Sequence, residues 1–237
     1  MSDFKDKALV LSSGGVDSTT CVAMAVERFG SENVSTVSVY YGQKHSKELA
    51  CAKAVADYYH VKHYEMDLSP VMAYSDCSLL EHSDKEIEHS SYAEQLEEKG
   101  GQGIVDTYVP FRNGLMMSSA AALAMSLYPE DKVHIYLGAH ADDAAGNAYP
   151  DCSRDFTDTM GRAIELGTGG HVVVEAPLVK WNKAGVVKEG LRLNAPYELT
   201  WSCYEGGSKA CGKCATCIDR LEAFRANGVE DPIEYQE

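Results

Sequence analysis

A short apolar run, Leu9-Val10-Leu11, breaks into Ser12-Ser13-Gly14-Gly15 and then into Val16-Asp17-Ser18-Thr19-Thr20. This stretch limits what the chain can fold into more than any other. The run is too short for a stable helix and suits one buried strand. Gly14 and Gly15 are expected to take backbone angles closed to other residues and to leave no side chain between main chain and ligand. Asp17 and Ser18 are expected to cap the helix that follows. Strand, glycine turn and helix start together make a cup of backbone N–H groups at the positive end of a helix, which suits phosphate. An ordinary strand-to-helix turn carries the same glycines, so the weight rests on the complete Ser-Gly-Gly-Val-Asp-Ser-Thr string. It is not a Walker loop, which needs Gly-x4-Gly-Lys-Ser/Thr after a strand. Gly207-x4-Gly212-Lys213-Cys214 imitates that pattern but ends in Cys inside a cysteine cluster.

The string resembles the signature of the PP-loop ATP pyrophosphatases, which cleave ATP to AMP and pyrophosphate. The resemblance implies that Ser13, Gly14, Gly15, Asp17, Ser18 and Thr19 line the pyrophosphate. The flanking Ser12, Val16, Thr20 and Cys21 complete the expected nucleotide-binding stretch, with Asp17 and Ser18 also counted as catalytic.

The chain has 237 residues and a formal net charge of -15. That length suits one sizeable domain with at most a small appendage, here residues 1–200 followed by 201–237. The acidic balance argues against nucleic acid and anionic membrane as partners. A nucleotide site must then be made locally positive by loop amides, Mg²⁺ and a few placed basic residues. Met1 to Lys7 is charged, without the apolar region of a secretory signal, so a cytoplasmic location is expected. The most apolar segment, Leu115 to Leu127, falls short of the roughly 20 residues a spanning helix needs. Eight cysteines in such a chain read as thiols or metal ligands rather than disulfides.

Strands are expected at Val34–Tyr41, His63–Asp67, Val133–Leu137 and Val172–Val174, alternating with helices from about Ser46, Leu115, Ser153 and Asn182. The fold class is therefore α/β, an open five-stranded parallel sheet with helices on both faces. Between Leu68 and Asp106 the pattern fades, and seven acidic residues fall between Glu81 and Glu98. That segment is either a solvated excursion with a partly helical Tyr92–Lys99 or a lid over the site. Pro110 is expected to stop a strand, and Arg112 stands at the next helix start, either clamping a carboxylate or meeting an anionic ligand. Gly138-Ala139-His140-Ala141-Asp142-Asp143 follows a strand, where open α/β sheets place ligands. Lys183 lies in the first turn of a helix, where the dipole disfavours a cation, which hints at a bound anion.

Cys203, Cys211, Cys214 and Cys217 lie within fifteen residues, with Gly206, Gly207 and Gly212 to turn the chain. Four thiolates at this spacing can close a tetrahedron around one structural Zn²⁺. An iron–sulfur cluster is the rival, and redox pairing of Cys214 with Cys217 leaves the other two unexplained. Cys21, Cys51 and Cys77 read as small core or surface residues, and Cys152 is left open.

The loop string combines with Tyr41-Gly42-Gln43-Lys44-His45, Tyr149-Pro150-Asp151-Cys152, Trp201-Ser202-Cys203-Tyr204 and Cys211-Gly212-Lys213-Cys214-x2-Cys217. This set resembles the 7-cyano-7-deazaguanine synthase family over nearly the whole chain, excepting the acidic excursion. The resemblance implies a carbon–nitrogen ligase of queuosine biosynthesis that joins 7-carboxy-7-deazaguanine and ammonia into a nitrile. It also implies two ATP used with Mg²⁺, bound zinc and a homodimer. Arg112 and Lys183 are the candidates for extra positive charge, Asp142 or Asp143 for Mg²⁺ or a proton from ammonium. Tyr149 and Asp151 are the candidates to face the deazaguanine. Phe111 stands where that family usually has Gly, and the turn before Tyr149 is longer. The rival readings are a relative that stops at the amide, a PP-loop tRNA-modifying enzyme, and a zinc-bearing binding module without catalysis.

Overall fold

The computed structural model describes residues 6–236. Five strands form one parallel sheet in the order β3-β2-β1-β4-β5: β1 Lys7–Leu11, β2 Val34–Tyr40, β3 Lys62–Asp67, β4 Val133–Tyr136 and β5 Val172–Glu175. The chain lays β1, β2 and β3 outward in one direction, then returns to the other side of β1 for β4. The crevice between the carboxyl ends of β1 and β4 is thus the switch point, where open α/β sheets bind ligands.

The helices are α1 Val16–Phe29, α2 Lys47–Tyr59, α3 Ser69–Met72, α4 Tyr92–Glu98, α5 Arg112–Leu127, α6 Ala141–Ala144, α7 Arg154–Gly167, α8 Lys183–Arg192 and α9 Ala215–Ala226. Alternation along β1 divides the core. Ala8 and Val10 join residues of α1, α2, α8 and α9 on one face, while Leu9 and Leu11 join α5 and α7 on the other. Both sheet faces are therefore covered, as their near-continuous apolar strands require.

Three local expectations are corrected. No strand precedes Pro110; residues 101–111 are turns and loop that pair with nothing in the sheet. The segment from Leu68 to Asp106 is not simply solvated: Leu79, Leu80, Tyr92 and Leu96 are buried against the body, and Ser91 with Glu94 forms a capping box on α4. Helix α9 is an addition; its Ala215, Ile218, Leu221 and Phe224 recur every third residue, a period masked by the neighbouring cysteines.

Candidate active site

The turn after β1 works differently from its sequence expectation. Gly14 alone has a positive φ, 81°, and a Cβ there would lie 2.2 Å from the Glu48 carbonyl. Gly15 has φ -87° and acts as the N-cap of α1. Asp17 and Ser18 are therefore inside the first turn, and no side chain caps the helix. The Ser18 hydroxyl instead donates to the Gly15 carbonyl and accepts from the Ser13 N–H, both at 3.2 Å, bracing the loop from within. This helix start borders the cavity above the switch point.

That cavity is walled on the loop side by Ser12, Ser13, Gly15, Asp17 and Ser18. Gly14, Val16, Thr19, Thr20 and Cys21 do not line it. Thr20 turns into the core, where its hydroxyl meets Val16 O and Tyr197 OH. Cys21 is fully buried among apolar residues, and burial pushes its thiol up. The period of α1 carries these last residues away from the crevice.

Beside the loop stands a charged cluster. Lys183 Nζ lies 2.6 Å from Asp17 Oδ2, and His140 Nε2 lies 3.3 Å from Asp143 Oδ2 and 3.4 Å from Lys183 Nζ. The anion that the start of α8 calls for is thus, in part, the Asp17 carboxylate. Burial acts to raise the Asp17 carboxyl, but Lys183 and His140 outweigh it and hold it below its ordinary value. Burial raises Asp143, which Lys183 and His140 only partly offset. Asp142 is committed elsewhere: its Oδ2 accepts from the Lys183 backbone N–H at 2.7 Å. Asp143, not Asp142, lines the cavity. Ser12 Oγ, Asp17 Oδ1 and His140 Nδ1 are buried without a hydrogen bond among the described residues, although His140 Nε2 lies 3.9 Å from Asp17 Oδ1, the pattern of groups that await a polar ligand.

The opposite wall is aromatic and carries one cation. Phe111 takes the left-handed conformation, φ 55°, and packs edge-on to Phe156, while Gly114 leaves room for its ring. This is how the chain keeps a phenylalanine at a backbone position that suits glycine, and it turns Arg112 inward at the start of α5. Arg112 makes no ion pair among the described residues; its Nη1 donates to Tyr41 OH at 3.3 Å. Tyr149 lines the same wall, and its hydroxyl joins those of Tyr92, Tyr204 and Thr107. Tyr92 comes from the acidic segment, which contributes this one side chain to the cavity wall. Asp151 does not line it. Its Oδ2 accepts from Asn113 N–H at 2.9 Å, capping α5 from behind. Glu48, Tyr41, Tyr204 and Asp219 also border the cavity, the last pushed up by burial to about 6. Tyr41 and Tyr204 sat in quoted motifs, whereas Glu48 and Asp219 are ordinary surface-helix acids in the sequence.

The sulfur ligand atoms of Cys203, Cys211, Cys214 and Cys217 lie within 4.8 Å of one another, and all four residues are buried. Backbone N–H groups of Lys213 and Cys214 point at Cys211 Sγ at 3.4 and 3.3 Å. Thiolates receiving amides in this way fit a closed metal site.

Fold, loop and cluster together define an α/β domain with a glycine-turn site at the switch point of its parallel sheet and a separate four-cysteine cluster. A solved NMN synthetase from Francisella tularensis shares the fold with TM-score 0.50 and 14% identity, matching 96% of this chain and 79% of that one. Residues 7–228 match the family described as Queuosine biosynthesis protein QueC. The 7-cyano-7-deazaguanine synthase of Caldicellulosiruptor saccharolyticus is 42% identical over 97% of this chain and 96% of its own length. The enzyme of that name from Archaeoglobus fulgidus is 38% identical over 96% and 89%. The chain belongs to this family, the 7-cyano-7-deazaguanine synthases, which are carbon–nitrogen ligases of queuosine biosynthesis.

Proposed function

We propose that this chain converts 7-carboxy-7-deazaguanine and ammonia to 7-cyano-7-deazaguanine, with two ATP cleaved to AMP and pyrophosphate. The observation that carries the reading is one cavity with a phosphate-type loop and Lys183 on one wall, and Arg112 with a tyrosine group on the other. A carboxylate is a poor electrophile, so its oxygen first attacks the α-phosphorus of ATP and pyrophosphate leaves. Ammonia displaces AMP from the acyl-adenylate to give the amide. The amide oxygen then attacks a second ATP; loss of AMP and of the nitrogen-bound protons leaves the nitrile. Each oxygen lost from carbon departs on AMP.

In this reading the amides of the Ser13–Ser18 turn hold the leaving pyrophosphate, and Lys183 places positive charge beside it. Catalysis is positioning and charge neutralisation at the reacting phosphate. Asp17, whose Oδ1 has no hydrogen bond among the described residues, and Asp143 would hold Mg²⁺, which would supply further charge neutralisation to the phosphates when bound. Tyr149 contributes to the aromatic wall against the deazaguanine. The four cysteines would hold one Zn²⁺ with no open position, so it serves the fold rather than the chemistry. The same reading takes residues 201–237 as an appendage to residues 1–200 and the working unit as a cytoplasmic homodimer. The test is turnover of 7-carboxy-7-deazaguanine, ammonium and ATP by the purified protein. Nitrile with two AMP per product is expected; amide with one AMP replaces the nitrile reading, and absence of AMP overturns both.

A further inference from the structure

Among the carboxylates bordering the cavity, Asp17, Asp143 and Asp219 all act on Lys183 beside the Ser13–Ser18 turn. Glu48 does not. It rises from the first turn of α2, its backbone pressed against Gly14, and its side chain borders the cavity with Tyr41 and Arg112. Neither carboxylate oxygen of Glu48 has a hydrogen bond or ion pair among the described residues, although the charge of Arg112 reaches it. Tyr41 feels both groups and receives a hydrogen bond from Arg112. Acceptor and donor thus border one cavity with Tyr41, and no hydrogen bond or ion pair joins them among the described residues. A half-buried cation and a half-buried carboxylate that do not pair each keep hydrogen-bonding capacity facing the cavity, which a ligand of matching pattern can fill.

A guanine-type base has that pattern. Its O6 accepts, and the adjacent N1–H and 2-amino group donate. We infer that Glu48 is the residue that selects the guanine-type base, accepting from N1–H and the 2-amino group while Arg112 donates to the neighbouring O6 edge. Asp151, the carboxylate singled out in the sequence for the ring N–H groups, is committed to the start of α5 and leaves this task to Glu48. The inference rests on the function proposed above and assigns the base edge that function requires. Burial pushes the Glu48 carboxyl up to about 7, so two donors from a bound base would also stabilise its charged form. A second role is open to such a group, that of proton acceptor from ammonium, and it makes a different forecast.

The experiment compares wild type, Glu48→Gln and Glu48→Ala on two acids, 7-carboxy-7-deazaguanine and its analogue lacking the 2-amino group. Hydrogen bonds to a charged partner support a wild-type preference in kcat/KM for the amino-bearing acid of about 10- to 100-fold. Both variants should lose most of that preference, through a raised KM for the acid, with KM for ATP changed less than threefold on the order of scatter between independent sites. The ATP constant also reports that the variants remain folded at the Gly14 turn. A preference kept by both variants, or a fall in kcat at unchanged KM for the acid, overturns the assignment. Failure of wild type itself to form nitrile or amide would instead overturn the proposed function, so the two failures are distinguishable.

Discussion

The backbone N–H of Trp201 donates to the carbonyl of Gly14 at 2.9 Å, joining the start of the cysteine segment to the turn of the phosphate loop. Lys47 Nζ sits 3.2 Å from the centroid of the Trp201 ring, and Thr216 Oγ1 donates to Ser202 O at 2.7 Å. Ser202 borders the cavity. The four-cysteine segment is therefore tied to one wall of the cavity, although no cysteine of the cluster lines it. Removing the metal with a strong chelator should weaken ATP binding and turnover together, and added Zn²⁺ should restore both. Metal content measured alongside the ATP dissociation constant checks this; unchanged ATP affinity in metal-free protein would refute the coupling.

Lys183 and Asp17 make the closest ion pair of the site, with side chains 15% and 22% exposed. Lys183→Met leaves a partly buried carboxylate beside the phosphate loop, which should cost about 2 kcal/mol of stability. It should also lower kcat on the order of 10²-fold, as loss of one preorganised charge does. Adding Asp17→Asn removes the stranded charge, so the double variant should regain stability but no activity. Chemical denaturation and turnover measured on both proteins separate the two effects. Equal instability of single and double variants would show that the pair does not act as a unit.

Much of this architecture was legible because strands buried on both faces carry dense short runs of β-formers: Leu9–Leu11 is apolar throughout, and Val34–Tyr40 and Val133–Tyr136 are rich in β-branched and aromatic residues. The loop was legible as a string but not in its details. Gly14 and Gly15 look alike in sequence, and only the approach of Glu48 O tells which needs the left-handed backbone. Asp151, read from the sequence as facing the substrate, meets the start of α5 for a similar reason. Whether a carboxylate faces a cavity or a helix N-terminus depends on tertiary packing, which leaves no period behind. The segment from Leu68 to Asp106 hid its buried Leu79 and Leu80 because turns, not regular elements, space them.

The unlike glycines carry their own forecast. Gly14→Ala puts a Cβ against backbone at 2.2 Å in a strained conformation, and should lower stability by about 2 kcal/mol or more. Gly15→Ala meets nothing nearer than 3.5 Å, so it should fold normally and act only by placing a methyl where phosphate approaches. The expected signature is a lowered melting temperature for the first variant and a raised ATP KM at unchanged melting temperature for the second. Matching thermal losses in both would remove the distinction.

Asp151 offers a contrast between acceptor and charge. Its Oδ2 receives the Asn113 N–H at the start of α5, a task an amide oxygen also performs. Asp151→Ala should destabilise by about 1–2 kcal/mol, in the range of lost N-terminal caps, while Asp151→Asn should recover most of that. Denaturation midpoints of the pair decide it. Recovery by neither amide nor carboxylate substitutes, with a selective rise in KM for the acid, would return Asp151 to the substrate.

Glu48 should leave a trace in the pH dependence of stability. Burial raises its carboxyl from 4.5 to about 7, against the opposing charge of Arg112. Across that interval the native state keeps a proton that the unfolded chain has released, so the Glu48 contribution falls as pH rises through it. Above about 7 the group is ionised in both states and the contribution is constant. The neighbours that face it, Arg112 from α5 and Tyr41 beyond β2, stay in their charged and neutral forms over the same range. Glu48→Gln removes the ionisation, so its melting temperature should gain on wild type from about pH 5 to about pH 7 and then run parallel. Melting curves at matched ionic strength read the difference directly. A difference that is flat with pH would mean that Glu48 ionises in the folded protein as it does in the unfolded chain, and that the wall beside Arg112 is open to water.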